Sequence, residues 1–329
     1  MSEDINFEEL IKIREPMSEK DEFMHDFGKQ WGKFPRYHNE SWYFNFIDRL
    51  NKVYFVTRMS LNMDKNKSRI INVLLTVDDK DYPYYNEVTL EKMPTNWEFD
   101  KRLKYYCLKP MKKWRVTYED KKINLDVIFE ERFPVFNLAE LEDPKITLER
   151  IGGIEFLKVA AQEHYEQSMV ATGTLDLKKK GEIYETRNIK GFGYRDHSWG
   201  IRKWVQIDGW NWVSAQFEDE TISFTKSDLL GKSPQMGAIH SIAGEFTLID
   251  KVEVTTKTKE DGKTPISSTF ILTDRNGNER ILESKTIFSK SMLLPSRTGS
   301  TEIFEQVAIF TCDGKEGDGI SEYLISTRI

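Results

Sequence analysis

The sequence predicts a mainly antiparallel β protein of sandwich or barrel type, with only a few short helices. Three observations lead there. Apolar and polar residues alternate with period two over many short runs, turn residues separate those runs, and helical periodicity is scarce. Taken in order, Phe7–Ile13 offers a short amphipathic helix. Phe55, Thr57, Met59, Leu61 and Met63 alternate with wetter residues as a strand with one buried face. Trp114, Val116 and Tyr118 do the same, as do Leu125, Val127 and Phe129, and Glu119–Lys122 between them reads as a hairpin turn. Pro134–Leu141 and Phe156–Gln167 could each hold a few helical turns. Farther on, Asn276-Gly277 between apolar runs is a type I′ hairpin signal, and Asp261-Gly262 is a weaker one. Tryptophan is confined to positions 31–212. With the Lys178–Gly181 turn, that places a domain boundary near residue 185, giving domains 1–185 and 186–329.

Composition narrows the function. With 329 residues, 39% of them hydrophobic, the chain can build two ordinary cores. The formal charge of −6 and the short, acid-flanked lysine clusters do not suit a nucleic-acid binder. Two cysteines, far apart, support neither a disulfide framework nor a thiolate zinc site. The acidic start shows no signal-peptide pattern, and no apolar run approaches the ~18 residues of a membrane helix. A cytosolic location is the simplest expectation, with transient membrane contact left open and the oligomeric state unread. Phosphate loops, the Gly-x-Ser-x-Gly elbow, the His-Glu-x-x-His helix and the dinucleotide fingerprint are all missing.

Gly191–Gly200 is the densest chemical segment, setting Arg195, Asp196, His197, Ser198 and Trp199 side by side. If it is extended, Tyr194, Asp196 and Ser198 share one face and Arg195, His197 and Trp199 the other. Asp196 can be a general acid only if Arg195 points away, because a nearby cation lowers a carboxyl pKa. In the opposite geometry Asp196 is an ionised orienter and His197 the proton shuttle. The bland reading pairs Asp196 with Arg195 or Arg202 in an inter-domain salt bridge and buries His197 and Trp199 as core. Trp204, Trp210 and Trp212 follow closely and could flank a developing cation or simply fill a core. Upstream, His38, Glu40 and Trp42 would share a strand face, with Glu40 a second candidate carboxylate. His164 and His240 stand isolated, so no metal ligand set is expected.

The run Gly193–Gly200 with Arg202 and Trp204 resembles the hallmark of the AttH-like proteins, a superfamily that includes carotenoid 1,2-hydratases (hydroxyneurosporene synthases) and kievitone hydratase. Asn39–Phe44, His164–Gln167 and Gly319–Tyr323 match in the expected order, so the resemblance spans most of the chain. It implies two packed lipocalin-like β domains, a cavity near their junction and a lipophilic ligand. The expected function is then a cofactor-independent acid/base enzyme that hydrates or cyclises at a C=C bond of an isoprenoid-like molecule. Asp196 would be the acid, Tyr194 its tuner and His197 the residue placing water. Trp42, Trp199, Trp204, Trp210, Trp212, Glu40 and Arg195 would line the substrate. The alternatives are a non-catalytic binder of a hydrophobic small molecule and a scaffold with no small ligand.

Overall fold

The computed structural model describes residues 17–26, 29, 33, 34, 36–137, 149, 153, 162–229 and 231–328. Their contacts divide the chain into two units. One comprises Pro16–Asn137 and Gln162–Arg202, and the described residues from Lys203 onward belong to the other.

The first unit is built on nine antiparallel strands. These are β1 (His38–Asp48), β2 (Val53–Asn62), β3 (Lys67–Val77), β4 (Lys80–Thr89), β5 (Leu103–Lys109), β6 (Lys113–Glu119), β7 (Ile123–Glu131), β8 (Gln162–Lys179) and β9 (Glu182–Ile201). Their order in the sheet is β4-β3-β2-β1-β9-β8-β7-β6-β5. The alternation read from β2, β6 and β7 is present: Phe55, Met59, Trp114, Val116, Leu125, Val127 and Phe129 are buried in one core cluster. The sheet curls enough for its two halves to meet, since the Thr57 hydroxyl on β2 lies 2.9 Å from the Tyr105 hydroxyl on β5. Glu119–Lys122 does close a hairpin, with Asp120 accepting from the Lys122 and Ile123 amides.

β1 breaks the half-wet pattern, because all eleven of its residues are buried. One face carries Trp42, Phe44 and Phe46 into the core, and the other buries Ser41, Tyr43 and Asn45. Gly193, next to β1 on β9, lets this centre close. A Cβ there would sit 2.7 Å from the Asn45 carbonyl and 3.1 Å from the Phe129 ring.

The second unit is a closed barrel of eight antiparallel strands: β10 (Gly209–Gln216), β11 (Glu220–Asp228), β12 (Gln235–Ser241), β13 (Phe246–Thr258), β14 (Pro265–Asp274), β15 (Glu279–Ser296), β16 (Gly299–Cys312) and β17 (Lys315–Arg328). Val213, Phe224, Phe270, Leu272, Leu282 and Phe310 fill its apolar core.

Several expectations need correcting. The boundary near residue 185 falls inside β9, and the division lies between Arg202 and Lys203. Lys180 and Gly181, with φ of 54° and 90°, form a two-residue turn of the primed class between β8 and β9, so the Lys178–Gly181 turn closes a hairpin within one unit. Residues 162–167 of the expected 156–167 helix are strand β8, and 134–137 hold no helix; the rest of both segments, and Phe7–Ile13, lie outside the described residues. Asn276-Gly277 does join two paired strands, but only Gly277 takes positive φ (84°) and the loop runs from Arg275 to Asn278. Asp274 accepts from the Asn276 and Asn278 amides, which selects this longer turn over type I′.

Candidate active site

β9 lies between β1 and β8, and the register sorts its side chains. Trp42 and Tyr165 flank His197, while Tyr43 and Glu166 flank Asp196. Directly opposed residues share a face, so the sheet centre carries two polar clusters back to back.

The inner cluster is a chain of buried hydrogen bonds. His197 Nε2 lies 2.9 Å from Glu40 Oε1, and His25 Nδ1 lies 2.7 Å from the same oxygen. On its other side His197 Nδ1 meets the Tyr165 hydroxyl at 3.3 Å, and that hydroxyl donates to Glu22 at 2.8 Å. Arg195 clamps Glu22 with two hydrogen bonds of 2.6 and 3.1 Å, and donates to Gln167 at 2.8 Å. Glu22, Glu40, Arg195 and His197 are fully enclosed. Trp42 stacks on His197 at 4.5 Å and Trp199 on His25 at 4.2 Å. Burial works against the Glu22 charge, but Arg195 outweighs it and holds the carboxyl below its ordinary range. Glu40 is likewise held low, its burial offset by His197 and His25. Burial pushes His197 down despite Glu40. The half-buried His25 goes up, because Glu40 and Asp21 overcome its burial.

The outer cluster is wetter and acidic. Glu166 accepts from the Tyr194 hydroxyl at 2.6 Å and pairs with His164 Nε2 at 2.8 Å. Asp196, directly across from Glu166, makes no side-chain hydrogen bond or ion pair among the described residues and is only partly buried. Burial raises the Asp196 carboxyl; His164 pulls it back, Glu166 pushes it up, Arg202 and Arg58 pull it down, and the balance is a rise. Burial also opposes a charge on His164, yet Glu166 keeps its pKa raised. A carboxylate committed to two partners thus lies beside a carboxyl whose pKa is raised, so the two acids differ in environment.

The arrangement redraws the sequence-derived site. Tyr194 and Asp196 share a face, but the Tyr194 proton goes to Glu166. His197 and Trp199, expected to serve the same reaction as Asp196, face the opposite side with Glu40, Trp42 and Arg195. Neither Arg195 nor Arg202 forms a salt bridge with Asp196; Arg195 is spent on Glu22. Trp204, Trp210 and Trp212 belong to the barrel unit, where Trp204 packs on Trp210 at 5.5 Å and the Trp210 indole donates to Glu322 at 2.6 Å. Sequence reading missed Glu22, Tyr165, His25, His164 and Glu166 as participants. His164 and Glu166 were hidden by the helical reading of their segment, although strand pairing with the Gly191–Gly200 run would have set them opposite it. His25 sits in a segment without periodicity, and only folding brings it to Glu40.

With the geometry in hand, comparison with known proteins is informative. A family model described as "Domain of unknown function (DUF7064)" matches residues 18–326. No curated protein matches in sequence. Among solved structures, an AttH of Nitrosomonas europaea superposes with a TM-score of 0.63 at 15% identity, covering 95% of this chain and 98% of that one. Kievitone hydratase of Nectria haematococca gives a TM-score of 0.58 at 11% identity, covering 88% and 89%. The fold is therefore that of the AttH and kievitone hydratase structures.

Proposed function

The chain belongs to the family described as a domain of unknown function (DUF7064), and from that premise we propose that it is an acid/base enzyme that hydrates or cyclises at a C=C bond of a lipophilic, isoprenoid-like molecule. One observation carries the reading: Asp196 is a partly buried carboxyl with a raised pKa, without a side-chain hydrogen bond among the described residues and facing away from Arg195. Such a group keeps its proton at a pH where an ordinary aspartate has lost it.

In the proposed step the Asp196 O–H bond breaks and its proton forms a new C–H bond at one alkene carbon. The positive charge then resides on the neighbouring carbon. Water adds there, and the proton it sheds returns to the Asp196 carboxylate. In cyclisation a second double bond replaces water as the nucleophile, and the new carbocation loses a neighbouring C–H proton to the Asp196 carboxylate, leaving one double bond fewer. Glu166 stays ionised because Tyr194 and His164 bond to it, so the mobile proton is left to Asp196. Tyr43, opposite Asp196 on β1, offers a ring whose face stabilises a cation by about 0.5–2 kcal/mol. The shared fold with a hydratase supports the reading, and the chemistry asks for no cofactor.

The purified protein, incubated with prenylated phenols and terpenoid alkenes in oxygen-18 water, tests it. A product heavier by one labelled water (hydration), or an isomer with one fewer double bond (cyclisation), made by wild type and not by Asp196→Asn, is expected. Equal conversion by both proteins contradicts the assignment. A second reading, a carrier of one hydrophobic ligand, draws on the closed eight-stranded barrel, a size that can hold a small molecule. The aromatic and aliphatic filling of that barrel speaks against it.

A further inference from the structure

The inner face of the sheet centre holds three donor atoms that the acid chemistry does not use. His25 Nδ1, Glu40 Oε1 and His197 Nε2 all lie within 4.8 Å of one another. Both imidazoles aim at one carboxylate oxygen, at 2.7 and 2.9 Å.

Counting protons shows why that convergence matters. Tyr165 has one hydroxyl proton, and it goes to Glu22, which is paired with Arg195 and can only accept. The Tyr165 oxygen, which also receives Arg195 Nη1 at 3.4 Å, can then only accept from His197 Nδ1 at 3.3 Å. An imidazole with its proton on Nδ1 presents a lone pair at Nε2, and that atom lies 2.9 Å from Glu40 Oε1. In that tautomer a cation fits between the two atoms, and His25 points a third donor at the same place.

We propose that His25, Glu40 and His197 bind a first-row divalent transition metal, with zinc the best match to two imidazole nitrogens and one carboxylate oxygen. Donors ~2.0–2.2 Å from a common ion stand roughly 3.3 Å apart, so the two contacts to Glu40, now 2.7 and 2.9 Å, open slightly while the two imidazole nitrogens, within 4.8 Å of each other, draw together. The remaining ring nitrogens are held as those of metal-bound histidines are. His25 Nε2 faces the Asp21 carboxylate at 3.7 Å, and His197 Nδ1 faces Tyr165. Trp199 and Trp42 stack on the two rings and fix their planes. Partial exposure of His25, at 20%, gives the ion a way in. The ion would fasten the Met17–Asp26 segment to β1 and β9, on the face away from Asp196. It is a structural clamp and stands or falls independently of the alkene chemistry.

The test uses the full chain, stripped with a chelator and titrated with Zn²⁺ by calorimetry and with Co²⁺ by visible absorption. One ion per chain is expected. His25→Ala should weaken binding by more than about 100-fold, beyond what loss of a surrounding partner costs, while His240→Ala in the barrel leaves it unchanged. Zinc-edge X-ray absorption of the wild type should show two imidazoles with oxygen and no sulfur, a readout that holds even if His25→Ala fails to fold. Absence of stoichiometric binding, unchanged affinity in a folded His25→Ala protein, or a sulfur ligand from Cys107 or Cys312 would overturn the assignment.

Discussion

The two faces of β9 carry similar residue types and do opposite things with them. Inside, both carboxylates are engaged: Arg195 clamps Glu22, and two imidazoles converge on Glu40. Outside, Glu166 is fully engaged while Asp196 beside it has no side-chain bond among the described residues. Charges taken out of water survive only when compensated, so the inner cluster is bound to stability. A partly buried acid without a counter-ion costs stability and is suited to giving up a proton. One residue of strand alternation separates the two roles.

That contrast can be broken in steps of decreasing size. Asp196→Asn should lower the rate of labelled-water incorporation by about 10²–10⁴-fold. Its melting temperature should equal or exceed that of wild type. The sign follows from linkage. A carboxyl whose folded pKa is raised loses stability as pH climbs from its unfolded pKa through the folded one, and Asn removes that penalty. A large fall in melting temperature would instead make Asp196 a structural residue.

Arg195→Met, one position away, should destabilise by about 3–5 kcal/mol in urea unfolding, because it strands the buried Glu22 charge. Adding Glu22→Gln should recover part of the loss. The depressed Glu22 pKa means its stabilisation is present above the unfolded carboxyl pKa and disappears as pH falls through the folded value. The wild-type acid transition should therefore become shallower in the double variant.

A finer test is His164→Gln. Loss of a cation that opposes protonation raises the Asp196 pKa further, so the alkaline limb of the pH–rate profile should move to higher pH. Movement to lower pH would show that His164 acts otherwise. Smallest of all, Ser198→Ala removes the 3.2 Å contact with Ser41 and should cost about 0.5–1.5 kcal/mol in thermal unfolding without moving the pH profile.

Much of this contrast was legible in the chain. Alternation alone puts Arg195 behind Asp196 and groups His38, Glu40 and Trp42, because period two is a covalent property of an extended backbone. Partner identity was not legible, because it depends on register between distant segments. Glu166 meets Asp196 across the β8–β9 hairpin, whose Lys180-Gly181 turn also imitates a domain boundary. His25 meets Glu40 from just past a single 3-10 turn, Glu19–Glu22, which is too short to leave a periodic trace. The tryptophan count misled for a related reason: aromatic density follows local packing, and Trp204 and Trp210 pack on a small cluster of Ile207, Leu229, Ile303 and Leu324 in the barrel unit.

Carbon-13 NMR titration of the Asp196 side-chain carboxyl, assigned by its loss in Asp196→Asn, probes the separation of the two faces most directly. A midpoint clearly above that of an unperturbed aspartate, about 3.9, is expected. A midpoint at or below that value would mean a carboxylate already ionised and unable to act as the acid.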